Sequence, residues 1–195
     1  GSATASWAAE ARWSSARAAV STCPTCGAEV AAGRAAIDDY RISPDGSVIA
    51  FVADQPKSEE REAAEEQGFT QEVFEEDWQP FQVFIADLVS GSEPAVLDLP
   101  GSAIQVAWNP DGERVAVALA PSPLVDDRYM FQRIHIVGLA DGEILATVDR
   151  EGKLGRMEWS PDGTLLAMIS AADLHDPSAS SLLVAPSLGG EAVNL

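Results

Sequence analysis

Laid against itself, the chain brings three segments into register. They are Asp39-Tyr-Arg-Ile-Ser-Pro-Asp-Gly-Ser-Val-Ile-Ala-Phe-Val, Val106-Ala-Trp-Asn-Pro-Asp-Gly-Glu-Arg-Val-Ala-Val-Ala and Arg156-Met-Glu-Trp-Ser-Pro-Asp-Gly-Thr-Leu-Leu-Ala-Met-Ile. Such a repeat constrains the fold more than any single residue does, because one unit cannot bury its apolar face alone and must stack on its neighbours. Each copy is a hairpin by mechanism. Pro44, Pro110 and Pro161 preset φ for the first corner, Asp45, Asp111 and Asp162 bond back to the backbone, and Gly46, Gly112 and Gly163 accept positive φ. The flanking arms alternate or run apolar, as half-buried and buried strands do.

A second hairpin follows each of these. Val83 to Asp87 leads through Ser90-Gly91 to Ala95 to Leu99, Arg133 to Val137 through Asp141-Gly142 to Glu143 to Val148, and Ser181 to Val184 through Gly189-Gly190 to Glu191 to Val193. Two hairpins give four strands per repeat. Asp111 and Asp162 lie 51 residues apart and Gly142 and Gly190 48, near the ~40 to 50 of a propeller blade. Asp45 and Asp111 are 66 apart, so the first blade holds an acidic insertion, placed at 56–80. The spacing predicts an all-β chain of three four-stranded antiparallel β-propeller blades, at about 38–99, 104–148 and 155–195. A complete ring needs at least about four blades. The ring is therefore expected to be incomplete, and to be finished by further blades or by another chain.

Charge narrows the partners. The 195 residues hold 12 Lys and Arg against 31 Asp and Glu, a formal net charge of −19, so a polyphosphate would be repelled and no nucleic-acid partner is expected. No stretch approaches the ~18 to 20 apolar residues of a membrane helix. With 46% hydrophobic residues there is ample material for a core.

The Ser-Pro-Asp-Gly hairpin at blade spacing, from about Asp38 to Leu195, resembles the propellers of the prolyl oligopeptidase family of serine peptidases and the Tol-system propeller repeats. In the first blade, Ala53-Asp-Gln-Pro, a Glu-rich stretch, Gly68-Phe69, Val73, Glu76-Asp77-Trp78 and the return run Gln82 to Leu88 are similar to acylaminoacyl-peptidase-like members. The resemblance implies a propeller that selects peptides for a hydrolase domain. It also implies that Glu75 or Glu76, beside Trp78, meets the amino end of a peptide. Such peptidases carry a Gly-x-Ser-x-Gly elbow followed by Asp and His. The present sequence has no such elbow, so no catalytic residue is assigned to it. Expected partners are the remaining blades or hydrolase domain of a larger protein, a second copy giving two sets of three blades, or peptides. The alternative function is a Tol-like binding scaffold without chemistry. No cofactor is expected.

Residues 1–37 differ in kind. Ala3 to Ala19 is Ala-rich, with Trp7, Trp13 and Arg17, and reads as a helical or irregular segment, although its Ser pairs and Trp spacing also suit a poor strand. Cys23-Pro-Thr-Cys26-Gly27 presents two thiols on a tight knuckle; a short-range disulfide, free thiols, half of an intermolecular zinc site and a redox pair all stay open. In the insertion, Arg61 with Glu65 and Lys57 with Glu60 stand at helical spacing, which predicts a solvated charged helix. Trp108 and Trp159, two residues ahead of Pro-Asp-Gly, read as blade-packing residues. His135 reads as a packed or surface strand residue, and His175 as loop polarity. Asp126-Asp127-Arg128, between Pro121 and Tyr129, reads as a solvated loop, with cation binding as the alternative.

Overall fold

The computed structural model describes residues 19–22, 29–32 and 36–195, apart from 56, 72 and 74–77. Its first two strands, β1 (Ala19–Thr22) and β2 (Glu29–Ala32), form an antiparallel ladder. Their extended form is in keeping with the β-branched Val20, Thr22 and Val30, while residues 3–18 of the Ala-rich stretch lie outside the described residues.

The arms of the first Pro-Asp-Gly turn become β3 (Ile37–Ile42) and β4 (Val48–Asp54). The insertion follows with α1 (Glu59–Glu66), and β5 (Phe81–Asp87) and β6 (Ala95–Leu97) complete a sheet in the order β3-β4-β5-β6. Ser58 caps α1, its hydroxyl accepting from the Arg61 N–H, and no helix residue is buried. Arg61 pairs with Glu65 at 3.1 Å. Lys57 departs from the expected pairing with Glu60 and reaches Glu65 at 2.7 Å instead. It precedes the N-cap and so never enters the helical spacing on which a Glu60 pair depends.

The second sheet contains β7 (Ser102–Trp108) and β8 (Arg114–Ala120), then α2 (Val125–Met130), β9 (Arg133–Gly138) and β10 (Ile144–Asp149). The segment read as a solvated loop is thus partly a short helix. Arg128 within it pairs with Asp38 at 3.0 Å and lies 5.5 Å from the Phe81 ring centre, tying the second blade to the first. The third sheet contains β11 (Leu154–Trp159), β12 (Leu165–Ser170) and β13 (Ser181–Pro186). Its last arm divides. Gly190–Glu191, β14, runs parallel on β10 as a fifth strand of the second sheet, and Val193–Asn194, β15, closes the third. The Gly189 corner permits this: at φ +78 its backbone lies so near β10 that an added Cβ would stand 2.6 Å from the Thr147 carbonyl oxygen. Among the described residues no helix is long and apolar enough to cross a membrane.

All three turns put glycine at positive φ, 76° at Gly46, 72° at Gly112 and 69° at Gly163. The aspartates are held from several sides. Hydroxyls of Ser43 and Ser47, with the Ser47 N–H, pull the Asp45 carboxyl down to about 2. The Ser160 hydroxyl and the Thr164 N–H and hydroxyl do the same to Asp162, also to about 2. The second turn has Asn109 where the others have serine. Its Oδ1 accepts from the Asp111 N–H at 3.0 Å, while its Nδ2 donates to the Gly163 carbonyl at 3.1 Å in the neighbouring blade.

Each sheet has a near face towards the preceding blade and a far face towards the following one. On the first far face, cross-strand neighbours Ala50 and Ile85, and Val52 and Val83, pack on Val106, Val115, Val117 and Leu119 of the second near face. On the second far face the equivalent pairs Ala116 and Ile136, and Ala118 and Ile134, pack on Met157, Trp159, Leu166 and Met168. A third cluster, Phe51, Ala53, Phe84 and Ala86, is buried on the first near face, where the Phe51 and Phe84 rings stack at 5.3 Å. The fold is all-β, a run of propeller blades.

Candidate functional site

The inter-blade seam is joined by the two repeat tryptophans. Trp108 Nε1 donates to the Arg41 carbonyl at 3.0 Å, and Trp159 Nε1 to the Ala107 carbonyl at 3.1 Å. Both acceptors stand three residues before the proline of their own turn. Trp159 is buried and Trp108 half-buried, so only the former is fully in a core. Asp39 adds a second link, its Oδ2 accepting from the Val106 N–H at 3.1 Å. These residues, with the three Pro-Asp-Gly turns, are built into the scaffold.

A cleft of about 290 Å³ opens on the second blade beside the connection that leads into it, lined by Pro100, Gly101, Leu119, Ala120, Pro121, Phe131, Arg133 and His135. Its far wall is β9, whose period places Arg133 and His135 on one side of the sheet. Gly101 forms the lip at φ +92, with no room for a Cβ beside the Ala120 carbonyl oxygen. Gln82, buried in the first blade, points its amide at the Gly101 carbonyl at 3.3 Å. His135 Nδ1 lies 3.0 Å from Thr147 Oγ1. Burial, and then the neighbouring Arg133 charge, push its pKa below the ordinary 6.5, so the imidazole is neutral at pH 7. Arg133 donates to the Gln132 carbonyl at 2.8 Å and stands a loose 3.9 Å from Glu151. The cleft thus offers one cation, one neutral imidazole and apolar walls, a chemistry able to hold a carboxylate-bearing group.

The second exposed feature is the excursion of the first blade. It displays Phe69, Val73 and Trp78 at the surface, Trp78 at 42% exposure, and includes the acidic α1, to whose Ala64 carbonyl the Phe69 N–H donates. Glu75 and Glu76 lie outside the described residues, as do Cys23 and Cys26. Among the described residues, no three His, Cys, Asp or Glu side chains gather as a metal site would require. Asp127, one of the loop carboxylates, accepts from the Ser122 hydroxyl at 2.6 Å. His175 is exposed, its N–H donating to Asp173 at 2.7 Å. The sequence reading missed the cleft, since Phe131 and Arg133 reach it only through the placement of α2. An Arg and a His alternating with apolar residues in one strand of an acidic chain were the available signal.

No family model matches the chain, and no curated protein matches it. Solved structures do. The chain is similar to a crystal structure of the eukaryotic initiation factor at TM-score 0.52 and 14% identity, over 83% of its own length and 32% of that chain. It is similar to Kuenenia stuttgartiensis hydrazine synthase at TM-score 0.51 and 13% identity, covering 81% and 34%. It is also similar to the β-propeller domain of the Trilobed protease from Pyrococcus furiosus, described as having an open velcro topology, at TM-score 0.50 and 13% identity, covering 83% and 43%. The chain therefore spans about a third to two fifths of the length of these structures. At such identities the likeness is one of fold, and that fold is the β-propeller.

Proposed function

We propose that this chain is the non-catalytic propeller portion of a serine peptidase of the prolyl oligopeptidase type, which selects peptides for a hydrolase domain lying outside these residues. The observation that carries the reading is the first-blade excursion, which exposes Phe69 and Trp78 and includes an acidic helix. Aromatic surface takes up apolar side chains, and a local negative field attracts a peptide's amino end. The likeness of the fold to a protease's propeller domain is in keeping with this. The sequence itself contains no nucleophile elbow, so the chain alone turns over no aminoacyl or dipeptidyl substrate.

Calorimetric titration of the full chain with short peptides tests the reading. A free amino terminus should bind at least about tenfold more tightly than its acetylated counterpart, a difference of about 1.4 kcal/mol. Trp78→Ala and the pair Glu75→Gln with Glu76→Gln should each reduce that difference. Equal binding of free and acetylated peptides overturns it. The second reading, a binding scaffold without associated chemistry, draws on the Arg133 cleft. There, amidation of the peptide carboxylate is the change that weakens binding, and Arg133→Ala abolishes the effect.

A further inference from the structure

We propose that the far face of the third blade is an inter-blade surface that receives a further four-stranded blade bearing a tryptophan two residues ahead of its own Pro-Asp-Gly. A second copy of this chain does not supply that blade. The inference is independent of whether the whole protein is a peptidase.

The first observation is positional. Ala167 and Val184, and Ile169 and Leu182, are cross-strand pairs on β12 and β13. Counted from the turn glycine, they occupy the places of Ala116 with Ile136 and Ala118 with Ile134 in the second blade, and of Ala50 with Ile85 and Val52 with Val83 in the first. In those two blades the positions are apolar and packed against the next sheet. In the third they are equally apolar, yet Ile169 is 43% and Leu182 50% exposed. Val193 on β15, the partner of Val184, extends the patch outward. The surface continues an interface already made twice in the same molecule.

The second observation is a backbone acceptor. The carbonyls of Arg41 and Ala107 each take an indole N–H from the following blade. Glu158 stands at the same place, three residues before Pro161. Among the described residues no side chain donates to its carbonyl, and a carbonyl oxygen has two lone pairs to use. The occupant this surface is shaped for carries the same indole on its inner strand.

The third observation excludes the chain's own first blade as that occupant. Ile42, not tryptophan, stands two residues before Pro44 and has no hydrogen to donate. The near face of the first blade is already covered, Phe51 being 3% and Phe84 4% exposed. The near faces of the second and third blades are occupied within the chain. A six-bladed ring of two copies would have to open one of these cores.

The test extends the full chain after Leu195 with a second copy of residues 150–195, whose near face and tryptophan already fit a blade of this series. Hydrogen exchange of β12 and β13 in the original third blade is the readout. Exchange there should slow at least about tenfold while the protein stays monomeric. Replacing the appended tryptophan by phenylalanine should return about threefold to tenfold of that protection, the worth of one hydrogen bond. Ile169→Asp should abolish the gain in the extended chain but leave the unextended chain folded with an unchanged urea midpoint. Unchanged exchange on extension overturns the proposal, as does an Ile169→Asp chain that loses its fold without the extension. An unextended chain that is a micromolar dimer, and becomes monomeric on Leu182→Asp, also overturns it, since a second copy then covers the face.

Discussion

Removing the Trp159 indole tests the inter-blade seam most directly. The side chain is 8% exposed and sits in the core shared by the second and third sheets. A buried tryptophan takes ~150 to 250 Å² from water, which at ~25 cal/mol/Å² is about 4 to 6 kcal/mol. Allowing for a compact denatured chain lowers this by roughly a tenth to two fifths, so Trp159→Ala should cost about 3 to 5 kcal/mol, the usual range for such a truncation. Trp159→Phe keeps most of the packing and loses the N–H bond to Ala107, at about 0.5 to 1.5 kcal/mol for the bond plus a smaller packing loss. Trp108 makes the equivalent bond while half-buried. Its change to Phe should therefore cost about as much as that of Trp159, and its change to Ala distinctly less. Urea unfolding followed by far-ultraviolet circular dichroism gives the midpoints, with an unchanged slope confirming that stability alone has moved. If Trp159→Phe matches wild type within about 0.3 kcal/mol, or if Trp108→Ala is the more costly truncation, the equivalence of the two seams is wrong.

Gly112→Ala places a methyl group in open space at φ 72°, whereas in Gly163→Ala it would lie 2.5 Å from Asn109 Oδ1. The first should cost about 1 to 2 kcal/mol for the left-handed backbone, and the second clearly more; equal midpoints would show that Asn109 does not bridge the turns. Asp45 and Asp162, both held at about 2 against an ordinary 3.8, protonate first in the unfolded chain. Their contribution is complete above about pH 4 and is lost as pH falls towards 2, so the Asp45→Asn, Asp162→Asn chain should show a flatter fall in urea midpoint over that window, and an unchanged fall refutes the assignment. His135 has its pKa lowered, so the unfolded chain binds its proton first and stability declines as pH drops below about 6.5; His135→Gln should remove that part of the decline in a thermal scan. Gly189→Ala drives a Cβ against the Thr147 carbonyl and should free the amides of residues 190–191 to exchange, while β13 keeps its protection.

What the sequence disclosed and what it withheld divide along one physical line. Turn chemistry is local: a proline, an aspartate and a glycine in a row specify a hairpin wherever they stand, so three copies in register revealed three sheets and their order. The strand period likewise told which residues share a face. Neither signal says what a face meets. Asn109 reads locally as a polar residue entering a turn, equivalent to Ser43 and Ser160, yet its amide crosses to Gly163 in the next blade. Gly189-Gly190 reads as a tight hairpin, yet it delivers two residues to the neighbouring sheet before the strand returns to its own. Arg133 and His135 read as residues of a hairpin arm, and become the wall of a cleft only because Pro100-Gly101 from the preceding connection lies opposite. In the first two cases the missing information is a contact between consecutive repeats, and in the third a contact with the connection between them, which no single repeat encodes. Ligand-recognising surfaces in an arc of blades arise at those junctions and on insertions, where the repeat is broken. The residues that most resemble one another along this chain are thus its scaffold, and specificity is to be sought where the copies differ: the excursion with Trp78 and the α2 connection of the second blade.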